Sequence, residues 1–424
     1  MSIEKKRYWY LLIIIATFTL AVIGQGIGNG TKSQYVKPIC DTFGWARTQY
    51  TVMYSFADAT MFLGNLFFVL ALKKFGGIRN VFLIGVLALL GAFAIFYNVT
   101  SLWMLYIGGI LFGLQAAYIN TAAYSTVVNS WFIKKKGMAL GIIFAGTGIG
   151  SMIYNLVVGY MLQNYGWKQS YGLAMIVIVV LALIAFSLFR SKPSDVGLPI
   201  YGEGEEEALG SSETAAAHEA FGFTLKEATK QPFYWMSGIA IALLVMTIMG
   251  VFINAPGFLG SNKVSAMAIG SVVSLVWAAN VVGKLVLGYV TDKVGVKNML
   301  IFTIACFIIS AFFLSRFTIG GSMSLLYAYA VFFGLGMVTV SVPVPIVVHS
   351  LYGTKDFPAI MGTVMAFFSI GGVLSGPSGS LFHDIIGSYV PAFYLYMVLS
   401  VVALILLFTS MAMSKKKLGE HKGW

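Results

Sequence analysis

Residues 8–30 read YWYLLIIIATFTLAVIGQGIGNG, a run without one charged side chain. About 20 predominantly apolar residues in a helix cross the hydrocarbon core of a bilayer, so this run is long enough to span it. Comparable stretches at 46–72, 80–98, 102–129, 137–163, 170–190, 232–259, 266–290, 299–316, 322–350, 357–383 and 390–413 predict about twelve transmembrane helices in all. Met1 to Arg7 ahead of the first run could mimic a signal peptide, but the apolar part is too long and lacks an A-x-A-like exit, so it reads as a retained helix.

The composition agrees. Of 424 residues, 58% are hydrophobic and 10% charged, whereas soluble domains carry roughly 25% charged residues. Lipid is therefore the main solvent, and an ordinary globular enzyme is excluded. Cys40 and Cys306 lie in different halves and form neither a metal-ligand spacing nor a disulfide framework. A net charge of +12 could indicate nucleic acid. Most of the 27 Lys and Arg, however, fall on one side of the predicted topology, among them Lys5, Lys6, Arg7, Lys73, Lys74, Arg79 and Lys415 to Lys417. Positive residues resist translocation, so the asymmetry places both termini in the cytoplasm of an inner-membrane protein and needs no nucleic-acid partner. Lys284 is then the one cation expected inside a span.

The long polar stretch Ser191 to Gln231 reads as a cytoplasmic linker, a flexible tether between bundles at 1–190 and 232–424. The halves look related. Lys73-Lys74-Phe75-Gly76-Gly77-Ile78-Arg79-Asn80 aligns through one gap with Asp292-Lys293-Val294-Gly295-Val296-Lys297-Asn298, which sets Gly64-Asn65 opposite Gly283-Lys284. Six plus six helices with weak internal similarity suit a carrier that alternates access to a site between its halves. Gly137 with Gly141, and Gly146, Gly148 and Gly150, have the small-residue spacing of close helix packing; a mobile interface is the other reading for the fifth-span cluster and for Gly371, Gly372 and Gly376. Pro343 and Pro345 should distort the tenth span.

The motifs resemble the major facilitator superfamily, and within it the oxalate/formate antiporter and monocarboxylate transporter group. The carriers of that resemblance are Thr31-Lys32-Ser33-Gln34-Tyr35-Val36-Lys37-Pro38 running through Asp41 to Gly44-Trp45, then Asn129-Ser130-Trp131-Phe132 followed by Lys136-Gly137-Met138-Ala139, and Gly288 to Gly295 with Asp292. The resemblance implies an all-α membrane fold of two pseudo-symmetric six-helix bundles and secondary transport of small organic anions such as lactate or formate, by proton symport or anion exchange. It departs in three places. Lys73 replaces the acidic residue of the first-half loop, Lys284 stands where the group commonly has Arg, and Met365 occupies the position of a second lysine in the oxalate carrier, which favours a monoanion over a dianion.

An ionisable group inside a span is costly and is a functional candidate for that reason. Lys284, flanked by Val281, Val282, Leu285 and Leu287, is the expected carboxylate-binding group; a buried ion pair with Asp58 is the structural alternative. Asp58 and Lys32 are candidates for coupling and Asp292 for gating, Lys32 because it matches the lysine that monocarboxylate transporters use near the end of the first helix. Asn120 and Tyr124, four apart and so on one helical face, and Tyr35 are candidate hydrogen-bond donors to substrate. Four scattered histidines make no metal site, and no nucleophile, base or cofactor motif is present, so no cofactor and no catalysis are expected. A monomer whose partners are a small carboxylate, a proton or counter-anion, and the bilayer is the expectation. A receptor that binds carboxylates without moving them is the alternative.

Overall fold

In lipid every backbone N–H and C=O has to be satisfied within its own segment, so the uncharged runs fold as helices. The computed structural model describes residues 8–133, 135–202, 222–341, 343–353 and 355–422. Among these residues, 11 helices are long and apolar enough to cross a membrane. The helix Arg47–Leu66, continued by Phe68–Lys74, holds the place of the second expected span; Asp58 and Asn65 keep it more polar than the rest. Most boundaries lie close to the expected ones, as in Lys136–Asn164 and Pro232–Ser261.

The first span is the main exception, since it runs from Tyr8 to Phe43 instead of ending at Gly30. After Ala21 it passes through a π-helical segment, Val22–Asn29, and a 3₁₀ turn, Lys32–Tyr35, before resuming as Val36–Phe43. Pro38 does not stop it. It falls in the first turn of that last segment, where its missing N–H would have no intrahelical partner. Gly44 then ends the helix in the left-handed conformation (φ 67°). Lys32 and Tyr35 thus lie within the continuous helix of the first span and not beyond its end.

Two spans are interrupted midway. The fourth consists of Leu102–Tyr118 and Thr121–Trp131. The tenth consists of Met323–Gly336, a 3₁₀ turn at Met337–Val340, and Pro343–Tyr352. Pro343 opens the last piece, a position where proline costs nothing, and the break precedes it as expected.

The chain divides into two units, Met1–Trp45 with Phe56–Ala216 and Ala266–Ser274, and Ala46–Ser55 with Ala217–Ser265 and Leu275–Trp424. Lipid tails are as apolar as leucine, so close backbone approach and hydrogen bonds, more than hydrophobic burial, hold such helices together. In the first unit the first and fifth spans touch through Gly26 and Gly150, where a Cβ on Gly26 would lie 2.9 Å from Gly150 Cα. Asn155 donates to the carbonyls of Gly30 (3.0 Å) and Ser151 (2.7 Å). In the second unit the seventh and eleventh spans repeat the device, with Asn254 donating to Gly376 O at 3.2 Å and accepting from Ser380 Oγ at 2.8 Å. Asp384, near the end of the eleventh span, accepts the backbone N–H groups of Arg47 (3.0 Å) and Thr48 (2.7 Å) and so caps the start of the second helix. Gly137 and Gly141, expected at a helix contact, have no described atom within 4 Å of an added Cβ.

The internal repeat has a structural counterpart. Gly77 (φ 113°) and Gly295 (φ 80°), aligned in sequence, both adopt a backbone that other residues resist. Three residues on, Asn80 donates to Phe75 O at 2.6 Å and Asn298 to Val294 O at 2.9 Å, a bond shorter by one residue where the alignment has its gap.

The described ends of the linker are held by hydrogen bonds and ring contacts. Tyr201 exchanges backbone hydrogen bonds with Trp131 and Ile133, both 2.9 Å, and packs its ring 5.1 Å from that of Tyr10. At the other end Phe223 N–H donates to Tyr352 O at 2.9 Å, and Thr224 with Glu227 forms a capping box. Aromatic residues at the bundle ends supply contact area that polarity alone did not reveal.

Candidate functional site

Polar residues gather along the first unit where the first span departs from α-helical bonding. A 3₁₀ or π segment re-aims side chains and releases carbonyls, and such segments are frequent at functional sites. Lys32, half-buried in the 3₁₀ turn, and Asp58, half-buried on the second helix, attract each other electrostatically. The expected alternative partner for Asp58 was Lys284; the structure gives it Lys32. The second helix is held close at this point, because a Cβ on Gly113 would come within 2.1 Å of Ala57 O, next to Asp58.

Tyr35, one turn beyond Lys32, is buried. Its hydroxyl lies 2.8 Å from Ser170 Oγ and its ring stacks on Tyr171 at 4.1 Å. Beside it, Gln34 donates through its amide to the side chain and carbonyl of Asn155. Gln115 was missed by sequence reasoning: it is fully buried on the fourth span, and both of its amide atoms lack a hydrogen-bond partner among the described residues. A lone glutamine in an apolar run is the signal that could have found it, since unsatisfied amides inside lipid are rare and costly.

Asn120 and Tyr124 do not share a continuous helical face, contrary to expectation. Asn120 is the N-cap of Thr121–Trp131, with extended backbone (φ −141°), and its side chain accepts from Ala122 and Ala123 N–H. Its amide donates to Asn65 Oδ1 and Ala117 O, both at 2.7 Å. Tyr124 is buried and donates to Ile119 O at 3.3 Å. Both side chains satisfy the backbone that the interruption sets free.

Lys284 belongs to the second unit. With 100° per residue, Val282 and Val286 point about 160° away from it; they are 57% and 52% exposed and mark the lipid-facing side. Lys284 therefore turns from lipid, beside Asn280 and Leu287, which are buried. Its neighbour Gly283 fits against Val338 and Leu335 at the interruption of the tenth span. Lys284 has no hydrogen-bond or ion-pair partner among the described residues. The equivalent position in the first half, Asn65, is bonded to Asn120 at the interruption of the fourth span. Asn280, one turn before Lys284, donates to Gly334 O at 3.2 Å. Asp292 falls among side chains outside the described residues.

Comparison with known proteins fits this geometry. The family model described as Major Facilitator Superfamily matches residues 9–262 and 238–423. An uncharacterized transporter of Saccharomyces cerevisiae is 26% identical over 269 residues, 62% of this chain and 37% of that one. Monocarboxylate transporter 12 of Xenopus laevis is 24% identical over 316 residues, 70% and 66% of the two chains. The matched stretches thus leave a third or more of these relatives uncovered. Among solved structures, a nucleoside transporter superposes with a TM-score of 0.72 at 14% identity over 95% of this chain and 99% of that one. A bacterial homologue of the human lysosomal transporter Spinster, inward-facing and unoccupied, gives 0.66 at 15% identity over 97% and 98%. At these identities the structures speak to fold alone.

Proposed function

Since the chain belongs to the major facilitator superfamily, we propose that it carries small monocarboxylates such as lactate or formate by alternating access, coupled to a proton or a counter-anion. The observation that carries this reading is Lys284, a cation turned away from lipid, set against an interrupted helix, and lacking an acidic partner among the described residues. A charge placed so is expensive unless an anion arrives to compensate it. The likeness to monocarboxylate transporters of Xenopus and mouse supports a carboxylate as that anion.

On this reading Lys32 and Asp58 form the coupling pair. Tyr35, Asn120 and Tyr124 shape the first unit's side of the path, and Asp292 gates. The protein acts as a monomer in the inner membrane, and the distribution of Lys and Arg supports placing both termini and the linker in the cytoplasm.

Counterflow in proteoliposomes tests the proposal, because only a carrier accelerates uptake of labelled carboxylate when unlabelled carboxylate is trapped inside. Lys284→Gln keeps length and polarity but removes a charge-assisted hydrogen bond worth about 1.5–3 kcal/mol, so affinity should fall roughly tenfold to hundredfold. Lys284→Arg should retain transport. Normal binding by Lys284→Gln together with lost thermal stability would make Lys284 a structural residue and remove the basis for an anion site there.

A further inference from the structure

A groove of about 580 Å³ lies on the first unit between the third span, Ile78–Tyr97, and the sixth, Trp167–Leu188. Its walls are apolar and open, with Leu83, Leu87, Val179 and Leu183 between 42% and 68% exposed. One end is polar. There Arg79 donates to Phe186 O at 3.4 Å, which holds the guanidinium across the mouth beside Ser187. From Arg79 to Leu90 the groove follows twelve residues of helix, eleven steps and so about 16 Å at 1.5 Å per residue. Half of a hydrocarbon core about 30 Å thick is nearly the same depth.

We infer that this groove binds one anionic glycerophospholipid, with an acyl chain between the third and sixth spans and its phosphate on Arg79. The dimensions match one leaflet and nothing deeper. The guanidinium has donors left after its bond to Phe186 and can grip a phosphate by two parallel hydrogen bonds, which a zwitterionic headgroup offers with less net attraction. Lys73 and Lys74 stand exposed in the last turn of the helix Phe68–Lys74, a few residues before Arg79, and reinforce the charge at that end. Basic pockets between helices on the cytoplasmic side favour anionic headgroups, and the positive-inside reading puts this end there. The inference does not depend on what the protein carries.

The test uses the full-length protein in nanodiscs of equal parts phosphatidylglycerol and phosphatidylcholine, followed by native mass spectrometry of the released protein with its retained lipid. Wild type should retain phosphatidylglycerol in preference to phosphatidylcholine. Arg79→Gln should lower that preference about fivefold, the effect of about one interfacial charge. Leu87→Trp, which fills the groove and leaves Arg79 in place, should reduce retention of both lipids. Inorganic phosphate should neither displace the lipid nor raise the melting temperature. Equal retention of the two lipids by wild type would overturn the proposal, and so would full preference in Arg79→Gln. If Arg79→Gln fails to fold, the wild-type preference and Leu87→Trp decide the matter: retention unchanged by the tryptophan refutes a lipid in the groove.

Discussion

Replacing Gly113 by Ala would place a methyl group 2.1 Å from Ala57 O and 2.8 Å from Ala57 Cα and C. The obstacle is backbone, so no rotamer change can relieve it, and the second and fourth spans must part by more than 1 Å to restore ordinary contact. Gly64 and Ala117 sit on the same contact, with 2.5 Å between an added Cβ on Gly64 and Ala117 Cβ, so the separation cannot be absorbed by a local twist. Overpacking of this kind costs about 1–3 kcal/mol. For a unit of this size that is several degrees of melting temperature, at about 2–4 °C per kcal/mol. Gly141→Ala is the control: it meets no described atom within 4 Å and should be neutral or stabilising by up to about 1 kcal/mol, as Ala is the better helix former. Because Asp58 follows Ala57, the shift should also alter the pH profile of carboxylate uptake. Thermal unfolding of both variants in detergent is the assay. If Gly113→Ala melts at or above the temperature of Gly141→Ala, the close helix contact, and the positioning of Asp58 argued from it, are wrong.

Asp384→Ala removes the acceptor for Arg47 and Thr48 N–H and should cost about 0.5–2 kcal/mol, the usual worth of an N-cap, read as a lower melting temperature. Lys32→Gln and Asp58→Asn should each destabilise more than the double variant does, because each alone strands an opposite charge; a cycle of melting temperatures should give a coupling of about 0.5–3 kcal/mol, and additive losses would show that the two charges do not act as a pair.

Hydropathy located the spans because lipid permits few alternatives to a continuous helix, but the same uniformity hides where a helix bends. Gly30 reads as a stop, since glycine commonly ends helices. In the structure a Cβ there would come 2.2 Å from Ser151 Oγ, so the residue reports a close neighbour, not a terminus, and the extension that carries Lys32 and Tyr35 into the span goes unseen. Asn120 shows the same limit. Its position in an apolar run suggests a polar group facing a cavity, whereas an Asn followed by Thr is also what an N-cap looks like. The charge inventory was more informative. Lys284 could be singled out from sequence, but the pairing of Lys32 with Asp58 is set by helix packing across 25 intervening positions that no local pattern encodes.

From Val22 to Asn29 the first span closes its hydrogen bonds one residue late, as Gly30 N–H to Gln25 O shows. Such a segment stores a spare residue, like a little over a quarter-turn of loose thread on a screw. Were the thread taken up as ordinary α-helix, everything beyond Gly30 would rotate by about 100° and advance by about 1.5 Å. Lys32 would then swing off Asp58, and the contacts of Gly26 with Gly150 and of Gly30 with Asn155 would have to give way with it.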